Sequence, residues 1–226
     1  MVSLTEDTTP GGIAPLARRS TAEIVAERLR EAIMHGGLPP GSQLGEIDLA
    51  NRLGVSRGPL REAMQRLVQE GLLRSEPHRG LFVSTLDEEE IRDVYTARLA
   101  VEGAACQLIM RGDRALAVSE LTSAHQRMVA AAAADDRIAF SDADQLFHQR
   151  LVAVSGSQRL ERMAQTLLVE TRMCLTALQE TYRPSGDTVE EHRLLVDAIE
   201  QGDERLLLER LEAHMTEAVE RLTSAS

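Results

Sequence analysis

Three histidines and one aspartate in the C-terminal half of the chain have residue types and spacings that suit a metal site. Asp144 and His148 are four residues apart, so on a helix both side chains project from one face, which apolar neighbours turn inward. His192 and His214 lie on the apolar stripes of the last two predicted helices, ten residues before and twelve residues after the turn at Gly202. If those helices form an antiparallel hairpin, both imidazoles lie about 15–18 Å from the turn and therefore level with each other.

A divalent cation would satisfy this whole group. Three imidazoles and a carboxylate in an apolar interior are costly unless they are neutral and bonded, and one cation bonds all four. A single histidine of this kind is more often an ordinary core residue. His125 is interpreted in that way, as core or pocket wall, because no partner has a matching spacing. His35 follows a helix end, where it suits the helix dipole.

A second group of polar residues lies in the N-terminal third, where two short helices are predicted over 46–53 and 57–70 with a tight glycine turn between them. In such a helix-turn-helix the second helix enters the major groove of DNA. Arg57 and Arg61 share one face of it, and each guanidinium can bond O6 and N7 of guanine. Ser56 is predicted to cap this helix, and its first turn suits a phosphate.

A small β-hairpin with a basic tip is predicted directly after the two helices. Its arms are residues 72–74 and 81–83, and its tip carries His78, Arg79 and Gly80, which could reach the DNA backbone or the minor groove. Single arginines are usually solvated surface charges. That alternative does not explain arginines that follow a glycine turn and precede a basic wing, so the sequence predicts a winged DNA-reading motif.

The elements that position these residues are mainly helical. A capping box, Ser20 to Glu23, begins the first helix, and helical periodicity dominates again after residue 85. We predict an N-terminal winged helix-turn-helix domain over 18–84 and a C-terminal all-α bundle of about six helices over 85–226, preceded by a disordered tail over 1–17. The predicted bundle helices are 87–110, 114–134, 136–154, 158–182, 187–201 and 203–223.

Charge separates the same two parts of the 226-residue chain. The net charge is −11, but residues 18–84 hold ten Arg against eight acids, a net charge of +2, and residues 85–226 hold fifteen Arg against 26 acids, a net charge of −11. The first seventeen residues supply the remaining −2. The two cysteines lie inside helical patterns, and no signal peptide or membrane span is recognisable. A reducing, cytoplasmic location is therefore expected.

The N-terminal pattern resembles the GntR family of bacterial transcription regulators. The resemblance spans about residues 20–84 and is carried by PGSQL at 40–44, LANRLGVSRGPLREA at 49–63, EGLL at 70–73 and RG at 79–80. It implies a homodimer that binds operator DNA, with Arg57 and Arg61 reading bases and the wing assisting. Two residues depart from the family pattern: Ile47 stands where an arginine that contacts DNA is common, and Gly58 replaces the usual threonine.

The C-terminal half resembles the FCD effector domain of FadR-like members of that family. The resemblance spans about residues 86–222 and is carried by DQLFH at 144–148, SG at 155–156, EHR at 191–193, His214 and an Arg-x-x-x-Glu at 98–102. It implies Asp144, His148, His192 and His214 as metal ligands, commonly for zinc, nickel or manganese, with zinc preferred. A small carboxylate effector would complete the coordination, and Arg98 and Arg172 could bind its far end.

These observations favour a dimeric, ligand-responsive DNA-binding transcription regulator, most simply a repressor released by a small organic acid. Two alternatives stay open at this point. A His₃Asp site with open positions could activate water in a metalloenzyme, although no Asp or Glu is recognisably placed as a general base and a reader helix has no use in an enzyme. The metal could also be structural, with the bundle serving only to dimerise the protein.

Overall fold

The computed structural model describes residues 19–177 and 186–224. Its N-terminal part is a winged helix-turn-helix, as the sequence predicts. The capping box at Ser20 and Glu23 is formed and begins α1. The elements are α1 (Thr21–Met34), β1 (Gln43–Leu44), α2 (Glu46–Leu53), α3 (Arg57–Gln69), β2 (Leu73–Glu76) and β3 (Gly80–Val83).

The wing is a three-stranded antiparallel sheet in the order β1-β3-β2. In the register of the sheet, Phe82 lies opposite Gln43 on one side and opposite Arg74 on the other. The sequence predicts the hairpin of β2 and β3 but misses β1. Two residues are too few for a periodic signal, so this strand is defined only by its pairing with β3.

The C-terminal part is the predicted all-α bundle. Its helices are α4 (Glu88–Arg111), α5 (Arg114–Ala133), α6 (Arg137–Ala153), α7 (Gln158–Ala177), α8 (Gly186–Gln201) and α9 (Glu204–Ser224). Each bound lies within one residue of its prediction except the end of α7, where 178–182 fall outside the described residues, as do residues 1–17 of the predicted tail. Within the described ranges, no helix is long and apolar enough to cross a membrane.

The bundle core brings together the inward stripes of α6, α8 and α9, the three helices that carry the candidate ligands. Phe147 and Leu151 from α6 pack in one cluster with Leu195 from α8 and Leu211 from α9. Because α8 and α9 are joined by a tight turn at Gly202, whose φ is +75°, they run back along each other. The hairpin assumed from the sequence is thus present.

Candidate metal centre and nucleic-acid interface

The imidazole centre, which consists of Asp144, His148, His192 and His214, lies inside the bundle. His148 Nε2 is 3.2 Å from His192 Nε2 and 3.3 Å from His214 Nε2. Asp144 Oδ1 is 3.2 Å from His192 Nε2. The three imidazoles are buried, and one nitrogen from each ring lies within 4.8 Å of the other two. The structure therefore brings together all four residues that the sequence predicts as ligands.

The outer nitrogen of each imidazole is held by an oxygen acceptor. These contacts are His148 Nδ1 to Glu102 Oε2 at 2.6 Å, His192 Nδ1 to the Thr188 carbonyl oxygen at 2.7 Å, and His214 Nδ1 to Glu191 Oε2 at 2.8 Å. Carbonyl and ionised carboxylate oxygens only accept, so each Nδ1 donates its proton. This arrangement fixes both the orientation and the tautomer of the rings, as in histidines that bind metals.

A neutral imidazole that donates through Nδ1 presents a lone pair at Nε2. In the imidazole centre three such nitrogens and the Asp144 carboxylate converge at 3.2–3.3 Å. A single proton would serve only one of these contacts, whereas a divalent cation bonds every donor atom at once. The donor set and its geometry therefore fit a metal ion.

Burial sets the charge state of the centre. It lowers the pKa of His148 below its usual value, and burial together with the neighbouring His192 lowers the pKa of His214 to about 3. Burial alone would raise the pKa of Asp144, but the neighbouring imidazoles, His192 first, hold it well below its usual range. His148, His214 and Asp144 thus have the protonation states that metal coordination requires at neutral pH.

Two carboxylates support the centre from outside. Burial opposes the ionisation of Glu102, but the Arg98 and His148 side chains lower its pKa to about 2. Burial also opposes the ionisation of Glu191, but the hydrogen bonds that it accepts from His214 and Arg221 lower its pKa to about 2. Arg221 Nη1 and Nη2 lie 2.6 and 2.9 Å from the Glu191 oxygens. Both carboxylates are therefore ionised acceptors.

A cavity of about 30 Å³ adjoins the centre and is lined by Asp144, His148 and His214 together with three arginines and apolar side chains; the arginines are Arg98, Arg137 and Arg221. Two further groups on its wall, Arg98 Nη2 and Ser141 Oγ, are buried and make no hydrogen bond within the described part of the chain. The remaining guanidinium nitrogens of Arg98 are occupied by Glu102 and Thr171. Arg98 thus has one buried donor that is not used within the described part of the chain, and its contact with an effector stays a prediction.

Arg172 does not line this cavity, and its expected contact with the far end of an effector stays a prediction. It is buried, and its Nη2 lies 2.7 Å from Asp142 Oδ1. His35 Nε2 lies 3.5 Å from the other oxygen of the same carboxylate. Because Arg172 lies on α7 while His35 caps the end of α1, the Asp142 carboxylate joins the bundle to the reading domain. His125 lies outside the centre, with its Nε2 2.9 Å from the Val189 carbonyl oxygen.

The sequence interpretation missed Glu191, Arg221 and Ser141. Arg221 lies seven residues after His214, which places both on one face of α9, so helical periodicity could have found it. Ser141 lies three residues before Asp144 on α6 and could have been found in the same way. Nothing in the spacing of Glu191, the direct neighbour of His192, indicates that it turns to a histidine on another helix.

The reading helix α3 exposes its predicted contact residues. Ser56 is the N-cap residue, but its side chain makes no capping hydrogen bond, which corrects the prediction and leaves the hydroxyl exposed. Arg57, Gly58 and Arg61 are also exposed. Arg61 Nε lies 2.7 Å from Glu46 Oε2 at the start of α2, so the carboxylate holds the inner nitrogen of this guanidinium.

The wing tip is exposed as well. His78 adopts a positive φ of 62°, and Gly80 follows with a φ of +101°. The Arg79 guanidinium lies over the Phe82 ring, 5.0 Å from its centroid, and is paired with Glu76. These contacts hold the guanidinium of Arg79 against the wing. The basic wing tip and the exposed face of α3 give the N-terminal domain two separate positive features.

Helix α7 belongs to both parts of the molecule. Val169 and Met173 are members of the apolar cluster that contains the core of the winged helix-turn-helix. Thr176 Oγ1 lies 2.9 Å from the Met34 carbonyl oxygen at the end of α1 and 2.9 Å from the Arg172 carbonyl oxygen of its own helix, so the two carbonyls share its one proton. The reading domain is thus packed directly onto a helix that also carries residues of the bundle.

A winged helix-turn-helix joined to an all-helical domain with a buried histidine centre defines a two-domain bacterial transcription regulator. The family model described as bacterial regulatory proteins, gntR family, matches residues 21–83, and the FCD domain model matches residues 93–217. The chain belongs to the GntR family and carries an FCD domain. It is a DNA-binding transcription regulator, and its relatives are regulators rather than enzymes, which resolves that alternative.

Known relatives cover most of the chain. It is 32% identical over 203 residues to a probable D-xylose utilization operon transcriptional repressor of Paenarthrobacter nicotinovorans, covering 88% of this chain and 89% of that one. It is 31% identical to the gluconate operon transcriptional repressor of Bacillus licheniformis, covering 87% and 82%. The crystal structure of a GntR transcriptional regulator from Rhodococcus sp. RHA1 superposes with a TM-score of 0.81 at 28% identity, covering 91% and 98%.

Proposed function

We propose that this regulator is a homodimeric repressor that holds one divalent metal ion per chain and releases its operator when a small organic acid binds beside the metal. The observation that carries the proposal is the convergence of three imidazole nitrogens and one carboxylate oxygen, with the outer nitrogen of every ring already donating to an oxygen. Two relatives, those of the D-xylose and gluconate operons, are described as transcriptional repressors, which supports the sign of regulation.

The ligand set favours zinc, with nickel and manganese as the other candidates. Imidazole nitrogens and a single carboxylate suit borderline first-row ions, whereas magnesium and calcium prefer oxygen ligands. A divalent ion with three neutral histidines and Asp144 has a formal charge of +1. An anion is therefore the expected additional ligand.

The effector is proposed to be a small carboxylate because Arg98, Arg137 and Arg221 line the same cavity, and Arg98 Nη2 is a buried donor there. One end of the acid would face the imidazole centre and the other would accept a hydrogen bond from Arg98. On a scale where one buried water needs about 10–15 Å³, a cavity of about 30 Å³ holds about two waters. An organic acid larger than this volume would enter as the surrounding helices move apart.

This movement of the helices would transmit effector binding to the DNA-reading domain. Helix α6 carries Asp144 and His148, and two residues before Asp144 it carries Asp142, whose carboxylate meets His35 of α1. Helix α7 meets α1 through Thr176. A shift of α6 against α7 would therefore reorient the reading domain. The effector controls binding only if its affinity differs between the two arrangements.

In the DNA-bound arrangement, α3 is proposed to lie in the major groove. Arg57 and Arg61 would contact base edges, while Ser56 and the first-turn amides of α3 would contact a phosphate. His78, Arg79 and Gly80 of the wing tip would contact the backbone or the minor groove. Two such helices in a homodimer would read half-sites about one helical turn, roughly 34–36 Å, apart.

The test is metal analysis of the purified chain beside Asp144→Ala, followed by a thermal-melting screen of small carboxylates on both proteins. We expect about one metal ion per wild-type chain and an acid that stabilises the wild type but not Asp144→Ala. His125→Gln is the matched control, because it alters a bundle histidine outside the centre. Absence of metal after reconstitution would reject the metal site. Metal without any stabilising acid, and without any effect of acids on operator binding, would make it structural.

A further inference from the structure

We infer that Ile47 is a specificity-determining residue of this regulator and contacts the 5-methyl group of a thymine in the major groove of the operator. The inference rests on the proposed placement of α3 and names one base contact within it. It begins from an unusual exposure: Ile47 is 61% exposed, the largest value among the described large apolar side chains. The apolar clusters of the described residues do not include it.

The neighbours of Ile47 locate it beside the reading helix. It is the second residue of α2, directly after Glu46, whose carboxylate lies 2.7 Å from the Nε of Arg61 on α3. That contact fixes the start of α2 against the exposed face of α3. Ile47 directly follows the residue that pairs with Arg61, in a position where packing within the chain does not require an apolar side chain.

The chemistry of the groove decides what an isoleucine can recognise there. Each base pair presents hydrogen-bonding groups in the major groove, and thymine alone adds a methyl group, which apolar side chains contact. Isoleucine offers no hydrogen bond, so it cannot replace an arginine at a guanine. Burying one methyl between Ile47 and DNA corresponds to about a fourfold change in affinity, from about 0.8 kcal/mol per carbon.

Gly58 supports a close approach of DNA to the same surface. A Cβ built on this glycine would meet nothing within 4 Å, and the residue lies inside α3, where glycine is less favourable than alanine. The packing of the chain therefore gives no reason for a glycine at this position. A DNA surface that lies against the first turn of α3 does give one.

The experiment first selects a preferred operator from random duplexes with the full-length protein, and then replaces each thymine in turn with uracil, which lacks only the methyl group. At one position in each half-site we expect uracil to weaken wild-type binding about fourfold. Ile47→Ala should bind the thymine operator about as weakly and should not distinguish thymine from uracil there. Ile24→Ala, which removes another exposed isoleucine of the same domain, should keep the full discrimination.

The outcomes separate this inference from the proposed function. If the wild type selects an operator but no thymine-to-uracil change affects affinity, or if Ile47→Ala keeps the wild-type sensitivity at every position, Ile47 is not a methyl reader and the DNA-binding proposal stands. If no preferred sequence is selected, both fail together. Gly58→Ala provides a second measurement. We expect it to fold normally and to bind the operator more weakly than the wild type. Unchanged affinity would contradict a close approach of DNA to the first turn of α3.

Discussion

The metal centre and the DNA-reading surface share one kind of hydrogen-bonded pair, but the pair is buried in the first and exposed in the second. In both, a glutamate carboxylate accepts a hydrogen bond from one nitrogen of a side chain and leaves another nitrogen of that side chain for a ligand. The side chain is an imidazole in the metal centre and a guanidinium on the reading surface. Glu102 holds His148 in the buried bundle, and Glu46 holds Arg61 on the surface of the reading domain. The imidazole is buried, whereas the arginine is exposed.

The difference follows from the size and charge of each partner. An ion is small and must lose its water, so its ligands are gathered in a dry interior whose own hydrogen bonds fix them. DNA is large and highly charged, so its contacts lie on an accessible face and can adjust. The two regions should therefore respond differently to substitution: the centre should fail as a unit, and the reading face should lose affinity contact by contact.

The largest expected effect is loss of metal in His192→Ala. Removing one of three imidazoles leaves the others without the geometry that holds the ion, so metal content should fall well below about one per chain. Operator binding without effector should persist, since the change lies outside the reading domain. Metal analysis and a DNA-binding titration measure the two quantities. Unchanged metal stoichiometry would remove His192 from the ligand set.

Arg57→Ala and Arg61→Ala should each weaken specific operator binding by about 1–3 kcal/mol while leaving metal content unchanged. Arg66→Ala is the matched control, because Arg66 lies on the same helix and pairs with Glu62 and Glu23. It should lose little specificity. The measurement is a binding titration on specific and random duplexes at a fixed salt concentration. Wild-type discrimination in both variants would contradict the reading role.

A smaller effect is expected from Glu191→Gln. The glutamine can still accept the proton from His214 Nδ1 but removes the negative charge that makes the ring a better ligand, so metal affinity should fall by about tenfold. The neighbouring Glu190→Gln changes an exposed residue paired with Arg193 and should leave metal affinity unchanged. Competition with a chelator compares the two variants. Equal affinities would show that Glu191 only positions its histidine.

The smallest expected effect is that of Thr176→Val at the contact between the two domains. The substitution removes the hydroxyl that the Met34 carbonyl shares with the Arg172 carbonyl of α7 and should lower the free energy of unfolding by about 1 kcal/mol. Thr216→Val is the matched control, since its hydroxyl bonds only within its own helix and is exposed. Denaturant unfolding of both variants makes the comparison, and equal stabilities would mean that the interdomain bond contributes nothing.

The sequence predicts the parts of both sites that depend on spacing along one helix or one hairpin. Asp144 and His148 share a face because they are four residues apart, and His192 and His214 become level through a tight turn. The pairing of Arg172 with Asp142 could not be predicted in this way. It depends on how α7 packs against α1 and α6, and the spacing of residues within α7 does not specify that packing. The same holds for strand β1, which exists only through its partner.

The shared helix has a consequence for any attempt to treat the two domains as interchangeable modules. Val169 and Met173 complete the core of the reading domain from a point far along the chain. A fragment cut after residue 84 would expose the apolar surface that they cover, and a chimera that carries this reader on another sensor would have to supply matching side chains on the corresponding helix. The unit that can be transplanted is therefore the winged helix-turn-helix together with one face of α7.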